Sequence, residues 1–235
     1  MTQVLEGRTV GDIVADDWRA AAVFEEFGID FCCGGRRSVA DACQTAGVDA
    51  TAVERALEQL HIVDSGEEAS KWPVARLVDH IVAAHHDYVR VALPRLAGYL
   101  TKLTQVHGAR HPELAQVAAE FEVMGRGLLQ HMRKEEQVLF PYIRDLEGPP
   151  HSGASPFGTV ENPIRMMERE HEEAGAQLRE IRRLTSDYTA PADGCATYRV
   201  CFIELAHFEL DLHRHVHLEN NILFPKVVQL EASRR

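Results

Sequence analysis

Two stretches of the 235-residue chain carry the same pattern of metal-binding residue types: His131-Met-Arg-Lys-Glu135-Glu-Gln-Val-Leu-Phe-Pro141 and His215-Val-His-Leu-Glu219-Asn-Asn-Ile-Leu-Phe-Pro225. Both spell H-x-x-x-E-x-x-x-L-F-P, 84 residues apart. In a helix a residue and its fourth neighbour share a face, so each His and Glu stand about one turn, roughly 6 Å, apart and converge on one point. His131 falls three after Leu128 and seven after Met124; His215 falls three after Leu212 and seven after Phe208, so both lie on apolar stripes. His171 follows Met167 by four and precedes Leu178 by seven, on the buried face of its own helix. His86 and His171 are 85 apart, close to the spacing of the motif, and the chain reads as a duplicated helical hairpin with equivalent histidines. His85, four after Ile81 and three after Val82, fits the stripe at least as well as His86, and periodicity leaves the two open.

Four imidazoles and two carboxylates drawn into one core lose hydration, and an unpaired carboxylate there costs several kcal/mol or protonates. A bound cation removes that penalty. Six N and O donors exceed the four of a closed tetrahedral zinc site, so two metals are the natural count. Imidazole plus carboxylate without thiolate favours iron or manganese, with two histidines on each metal and the two glutamates bridging about 3.5–4 Å. Carboxylate-rich di-iron bundles use Glu-x-x-His, whereas this chain is histidine-rich.

The elements that must position these residues are helical. Val74, Leu77, Val78, Ile81, Val82, Val89, Leu93 and Leu96 mark one stripe, and Leu114, Val117, Phe121, Met124, Leu128, Val138 and Tyr142 a second. Ile164, Met167, Leu178 and Ile181 mark a third, and Leu205, Phe208, Leu212, Ile222 and Leu223 a fourth. Spacings of three, four and seven predict four amphipathic helices, with turns near Gly108, 148–163 and 190–194, hence an antiparallel four-helix bundle over 73–235. Residues 1–63 read as a small helical N-terminal domain: a helix from Val10 to Phe27 stopped by Gly28, a loop Asp30-Phe31-Cys32-Cys33-Gly34-Gly35, then helices from Ser38 and Thr51, whose Asp41 and Glu54 complete capping-box spacings. The polar stretch 64–72 reads as a linker. The 147–162 connection, rich in Pro, Gly and Ser, reads as a crossover or a cover over one end. The fold class is all-α.

Lys and Arg number 25 against 36 Asp and Glu, a net charge of −11 with no basic block, which argues against a nucleic-acid partner. No run reaches the ~18 apolar residues of a membrane span, and the first twenty residues, with Glu6, Asp12, Asp16 and Asp17, lack the apolar centre of a signal peptide. Five cysteines, two of them adjacent, suit a reducing compartment, so a cytoplasmic protein is expected. Cys32 and Cys33, in a glycine-flanked loop ahead of the Ser38 helix, are expected to be reactive thiols of lowered pKa that pass electrons, iron or a disulfide to a partner. Cys43, Cys195 and Cys201 read as packing residues, and His80, His107, His111 and His151 as surface ones. His213 and His217, with Glu209 one turn earlier, are expected on a solvated polar face. Glu136 and Glu170, beside the histidine and glutamate motifs, are weighed as exposed charge against proton or iron relays. Each Leu-Phe-Pro is expected to bend its helix next to the site.

The Asp30–Gly35 signature, His86-Asp87, His131-x3-Glu135, Glu170-His171-Glu172-Glu173-Ala174-Gly175 and His215-x3-Glu219-Asn220-Asn221 together resemble the hemerythrin-like iron-sulfur cluster repair proteins, the repair of iron centres family, over nearly the whole chain. The resemblance implies a hemerythrin-like bundle with metal ligands at His86, His131, Glu135, His171, His215 and Glu219, the two glutamates bridging; its His-Asp pair favours His86 over His85. It implies two iron ions in an oxo-bridged non-haem centre and the restoration of iron-sulfur clusters damaged by nitric oxide or oxidants. The chemistry it implies is iron donation, nitric oxide reduction or both, which leaves an enzymatic oxidoreductase role open. Damaged iron-sulfur proteins are the implied partners, and a homodimer through the N-terminal modules the implied assembly. The competing reading of the same centre is a sensor or carrier of oxygen or nitric oxide.

Overall fold

The computed structural model describes residues 7–17, 19–60, 69–148 and 157–234. Among these residues there is no strand, only an isolated bridge between Thr9 and Ser38, and the protein is all-α. The described residues form eight helices, three of them with a π-helical turn counted inside: α1 (Val10–Asp16), α2 (Ala20–Glu26), α3 (Val39–Ala46), α4 (Ala50–Leu60), α5 (Val74–His107), α6 (Glu113–Glu147), α7 (Glu161–Leu184) and α8 (Ala196–Ala232). Three of the long helices contain a π-helical turn, Ile81–His86 in α5, Glu135–Leu139 in α6 and Leu218–Leu223 in α8. The chain divides into two compact units.

One unit, Asp79–Asp145 with Glu161–Leu212, is the hemerythrin-like four-helix bundle. Phe208 of α8 meets Tyr88 of α5 and Phe121 of α6 at ring separations of 6.3 and 5.5 Å. At Gly125 a β-carbon would come within 3.0 Å of Leu93, so glycine permits α6 to approach α5. Buried Glu209 of α8 receives the guanidinium of Arg182 from α7. The α7–α8 connection turns through three successive left-handed residues, Ser186, Asp187 and Tyr188. Such φ values are costly for residues with a β-carbon. Here Thr185 Oγ accepts the Tyr188 N–H at 3.1 Å and the Arg182 guanidinium lies over the Tyr188 ring.

The other unit comprises Met1–Val78, Leu146–Val160 and His213–Arg235. The predicted helix Val10–Phe27 is two helices: Asp17 is extended, and its carboxylate takes the N–H and guanidinium of Arg19, which ends α1 and starts α2 afresh. Gly28, at φ 66°, closes α2 as expected. Ser38 caps α3 by accepting the Asp41 N–H at 3.1 Å. For α4 the cap is Asp49, which accepts the Thr51 N–H at 3.0 Å, and not Thr51 itself. Glu147 accepts the N–H groups of Val74 and Ala75, both at 3.1 Å, and so satisfies the start of α5. Of the expected linker, 69–71 form a single 3₁₀ turn, while 64–68 lie outside the described residues, as do 149–156 of the 147–162 connection and His151 with them.

The π turns have a local cause in two cases. Phe140 N–H bonds to the carbonyl of Glu135 and Phe224 N–H to that of Glu219, each five residues back, and the next residue is Pro141 or Pro225. Proline cannot donate to the carbonyl four residues earlier and its ring collides with it, so a widened turn upstream relieves the clash. The prolines act by adding a residue to the turn. One consequence overturns part of the expected second stripe: Val138 is exposed and Tyr142 only half-buried, whereas Leu139 and Ile143 are buried.

Candidate metal centre

His86 ends the π turn of α5, His131 lies in the last α-helical turn of α6, Glu135 opens the π turn that follows, and His171 sits midway along α7. All four belong to the bundle unit and none is more than 2% exposed. One oxygen of Glu135, Oε2, lies 3.4 Å from His86 Nε2 and 3.3 Å from His131 Nε2. His171 Nε2 is 3.0 Å from His131 Nε2. Both histidines of the pair that periodicity leaves open are buried at the wider turn of α5: His85 Nδ1 meets Asp211 at 3.0 Å, and His86 is the one brought to Glu135.

The outer nitrogens are tied as firmly. His86 Nδ1 bonds to Glu136 at 2.6 Å, and Arg90 holds that same carboxylate; His131 Nδ1 bonds to Glu170 at 2.9 Å, and Lys134 pairs with it. His131 and Lys134 pull the Glu170 carboxyl down to about 2. For Glu136, burial acts upward, but His86 and Arg90 together outweigh it and hold the carboxyl below its ordinary value. Both glutamates stay ionised and accept the Nδ1 protons, which turns Nε2 of each ring toward Glu135 as the nitrogen that would bind a cation. The sequence offered these glutamates only as neighbours of the motifs, because their partners Arg90 and Lys134 become visible once helices pack.

The arrangement sets lone pairs against lone pairs in a dry core unless protons or a cation fill the gap. Donors about 2.1 Å from one ion and 90–110° apart stand about 3.0–3.4 Å from each other, and Glu135 with His86, Glu135 with His131, and His131 with His171 are neighbours at that spacing. The residues fit a cation of the imidazole and carboxylate class. A cavity of about 160 Å³ lined by Gln130, Lys134, Glu170 and Glu173 reaches His131 and His171 between α6 and α7.

His215 and Glu219 belong to the other unit, where His215 Nε2 lies 3.1 Å from Glu219 Oε1 and both side chains are buried. Cys32 and Cys33 are free thiols there, 3.9 Å apart. Asp30 Oδ1 accepts both their N–H groups, at 3.1 and 2.9 Å, and the Cys32 thiol at 3.3 Å. The expected lowering of the thiol pKa does not hold for Cys32: its bond to Cys33, its burial and the charge of Asp30 push it well above the ordinary value.

The expected polar face of α8 is also corrected. His217 is buried against Phe31, with ring centroids 5.9 Å apart, and burial pulls it down to about 4 even though a bond to the Phe31 backbone acts the other way. His213 bonds to Glu25 at 3.1 Å. His107 is buried against Tyr198 and Cys195 instead of lying at the surface, and Cys195 is exposed instead of packed.

Residues 77–227 match the hemerythrin HHE cation binding domain, and residues 6–61 match a Domain of Unknown function, DUF542. The iron-sulfur cluster repair protein YtfE of Musicola paradisiaca is 35% identical over 228 residues, covering 96% of this chain and 98% of that protein. The chain belongs to the YtfE family. The YtfE proteins of Yersinia pestis and Yersinia pseudotuberculosis are each 36% identical over 214 residues, covering 91% of this chain and 93% of theirs. All six metal-ligand candidates fall in the part of the chain that matches the HHE domain, and the cysteine pair falls in the part shared as DUF542. Among the described residues no helix of this YtfE-family chain is long and apolar enough to cross a membrane.

Proposed function

We propose that the protein repairs iron-sulfur clusters damaged by nitric oxide or oxidants, with two irons held by His86, His131, Glu135, His171, His215 and Glu219. The observation that carries this reading is the buried chain of contacts His86–Glu135–His131–His171, with neighbouring donor atoms 3.0–3.4 Å apart and the outer nitrogens of His86 and His131 fixed by carboxylates. The duplicated motif extends it: His215 and Glu219 repeat, at 3.1 Å, the pairing of His131 and Glu135. The name of the relatives supports repair as the task.

Bound iron supplies a redox couple and an open position for a small ligand such as nitric oxide or oxygen. Glu136 and Glu170 keep the Nδ1 protons of His86 and His131, so Nε2 stays a donor, and Arg90 and Lys134 keep those carboxylates ionised. The cavity beside His131 and His171 gives a small molecule, or iron leaving as cargo for a damaged cluster, a polar route. In this reading residues 1–63 form the module that meets the damaged protein through Cys32 and Cys33, 64–72 link it to the iron-holding bundle of 73–235, and the protein works in the cytoplasm as a homodimer.

The test is metal analysis of the purified chain together with recovery of an iron-sulfur enzyme inactivated by nitric oxide. Two irons per chain, and recovery that is lost in Glu135→Ala and Glu219→Ala, are expected. One zinc per chain overturns the reading. Reversible nitric oxide binding without recovery overturns it in favour of a carrier.

A further inference from the structure

Two parts of the sequence signature have no task in holding a cation: Gly34-Gly35 of the thiol loop and Asn220-Asn221 after Glu219. Asn221 lies in the π turn of α8, two residues past Glu219. Its Nδ2 donates to the carbonyl of Cys32 at 3.0 Å and lies 3.4 Å from that of Phe31 and 3.2 Å from His217 Nδ1. Its Oδ1 occupies a notch that two glycines leave open: a β-carbon on Gly35 would stand 2.5 Å from that oxygen, and one on Gly11 2.7 Å. The Gly11 N–H donates to the Gly35 carbonyl at 2.7 Å and closes the notch behind the amide. All of these residues belong to one compact unit.

The thiol beneath this amide is closed. Cys32 is buried and donates to Asp30, and a covered, protonated thiol reacts slowly, so chemistry at Cys32 requires the loop to open. We propose that Asn221 is the positioning residue of the Cys32–Cys33 loop, tying it to the turn that carries Glu219, so that gain or loss of iron at Glu219 is passed to the thiols. This rests on the assignment of Glu219 as an iron ligand. Glu219 and Asn221 share one hydrogen-bonded turn, closed by Phe224 N–H on the Glu219 carbonyl, so a carboxylate that changes partners shifts the backbone from which Asn221 projects. Only an amide serves here: aspartate would set a carboxylate against two carbonyls, and alanine would leave both carbonyls and the notch empty.

The test is alkylation of the full-length protein by iodoacetamide, with and without iron, read by mass spectrometry at Cys32, with exposed Cys195 as the reference thiol. In the wild type, removal of iron is expected to speed reaction at Cys32. Asn221→Asp and Asn221→Ala are expected to raise the iron-loaded rate by about tenfold or more, with unchanged helical circular dichroism, and to abolish its dependence on iron. Gly35→Ala, which fills the notch from the other side, is expected to do the same. An iron-binding wild type whose Cys32 is indifferent to iron, or Asn221 variants with wild-type rates, overturns the proposal. A wild type that takes up no iron overturns the iron assignment instead, and the Asn221→Asp rate on that protein then decides whether the residue positions the loop.

Discussion

The two copies of H-x-x-x-E-x-x-x-L-F-P share their donor pair, their π turn and their proline, yet differ in what the residues between Glu and Leu face. After Glu135 comes Glu136, bonded to His86 and Arg90, and then Gln137, exposed. After Glu219 come Asn220, buried, and Asn221, seated among Gly11, Gly35 and the Cys32 carbonyl. The two copies keep the His–Glu pair and the proline, and their intervening positions make different contacts. In the first copy they orient an imidazole; in the second they anchor a thiol loop. A π turn shifts the register of the side chains that follow it, and such turns are frequent at functional sites.

The largest effect that tests the shared turn is on stability. Leu139→Ala is expected to lower the unfolding free energy by about 2–5 kcal/mol, while Val138→Ala changes it by less than about 0.5 kcal/mol, read by urea unfolding in the presence of a chelator. An uninterrupted α-helix predicts the reverse order, since Val138 then continues the stripe. In the second copy the contrast vanishes: Ile222 and Leu223 are both buried, so truncating either is expected to destabilise.

That prediction also marks where the sequence stopped being legible. Up to His131 the stripe of α6 follows a plain helical period, and the i, i+4 pairing of His and Glu could be read because it lies at the entrance to the widened turn. Beyond Glu135 one inserted residue shifts every later assignment, which is why Val138 and Tyr142 read as core and Leu139 and Ile143 did not. The signal was present in Phe-Pro after an apolar Leu, where proline cannot close an α-helical bond. The same irregularity in α5 hid the choice between His85 and His86. Contacts across helices left no such trace: Glu136 with Arg90, Glu170 with Lys134, and the burial of Cys32 and His217 depend on packing that one-dimensional spacing does not encode.

The next effects fall on the donors and separate the ligand from its support. Glu135→Gln keeps the volume and removes the charge, and is expected to weaken iron retention about a hundredfold, measured as iron per chain after equilibration with a competing chelator. Glu136→Gln leaves every donor in place and only loosens the Nδ1 bond of His86, so a loss of about tenfold is expected, at the low end for outer partners of metal-bound histidine. Equal losses in the two variants would mean that Glu136 is itself a donor, and the first copy would then be more than an oriented version of the second.

The smallest expected effect decides the asymmetry between the copies. Gln137 and Asn221 occupy the same place, six residues after His131 and His215, and a comparison of their alanine variants holds helix, turn and register constant. Gln137 is exposed, so Gln137→Ala is expected to change stability by less than about 0.5 kcal/mol and to leave iron retention untouched. Asn221→Ala removes a donor from a loop carbonyl and is expected to cost about 1–2 kcal/mol. Because the two positions are equivalent in the repeat, a cost of the same size at both would trace to the π turn itself, whereas a cost confined to Asn221 arises from what that amide touches: the thiol loop, the glycine notch that receives it and the ring of His217.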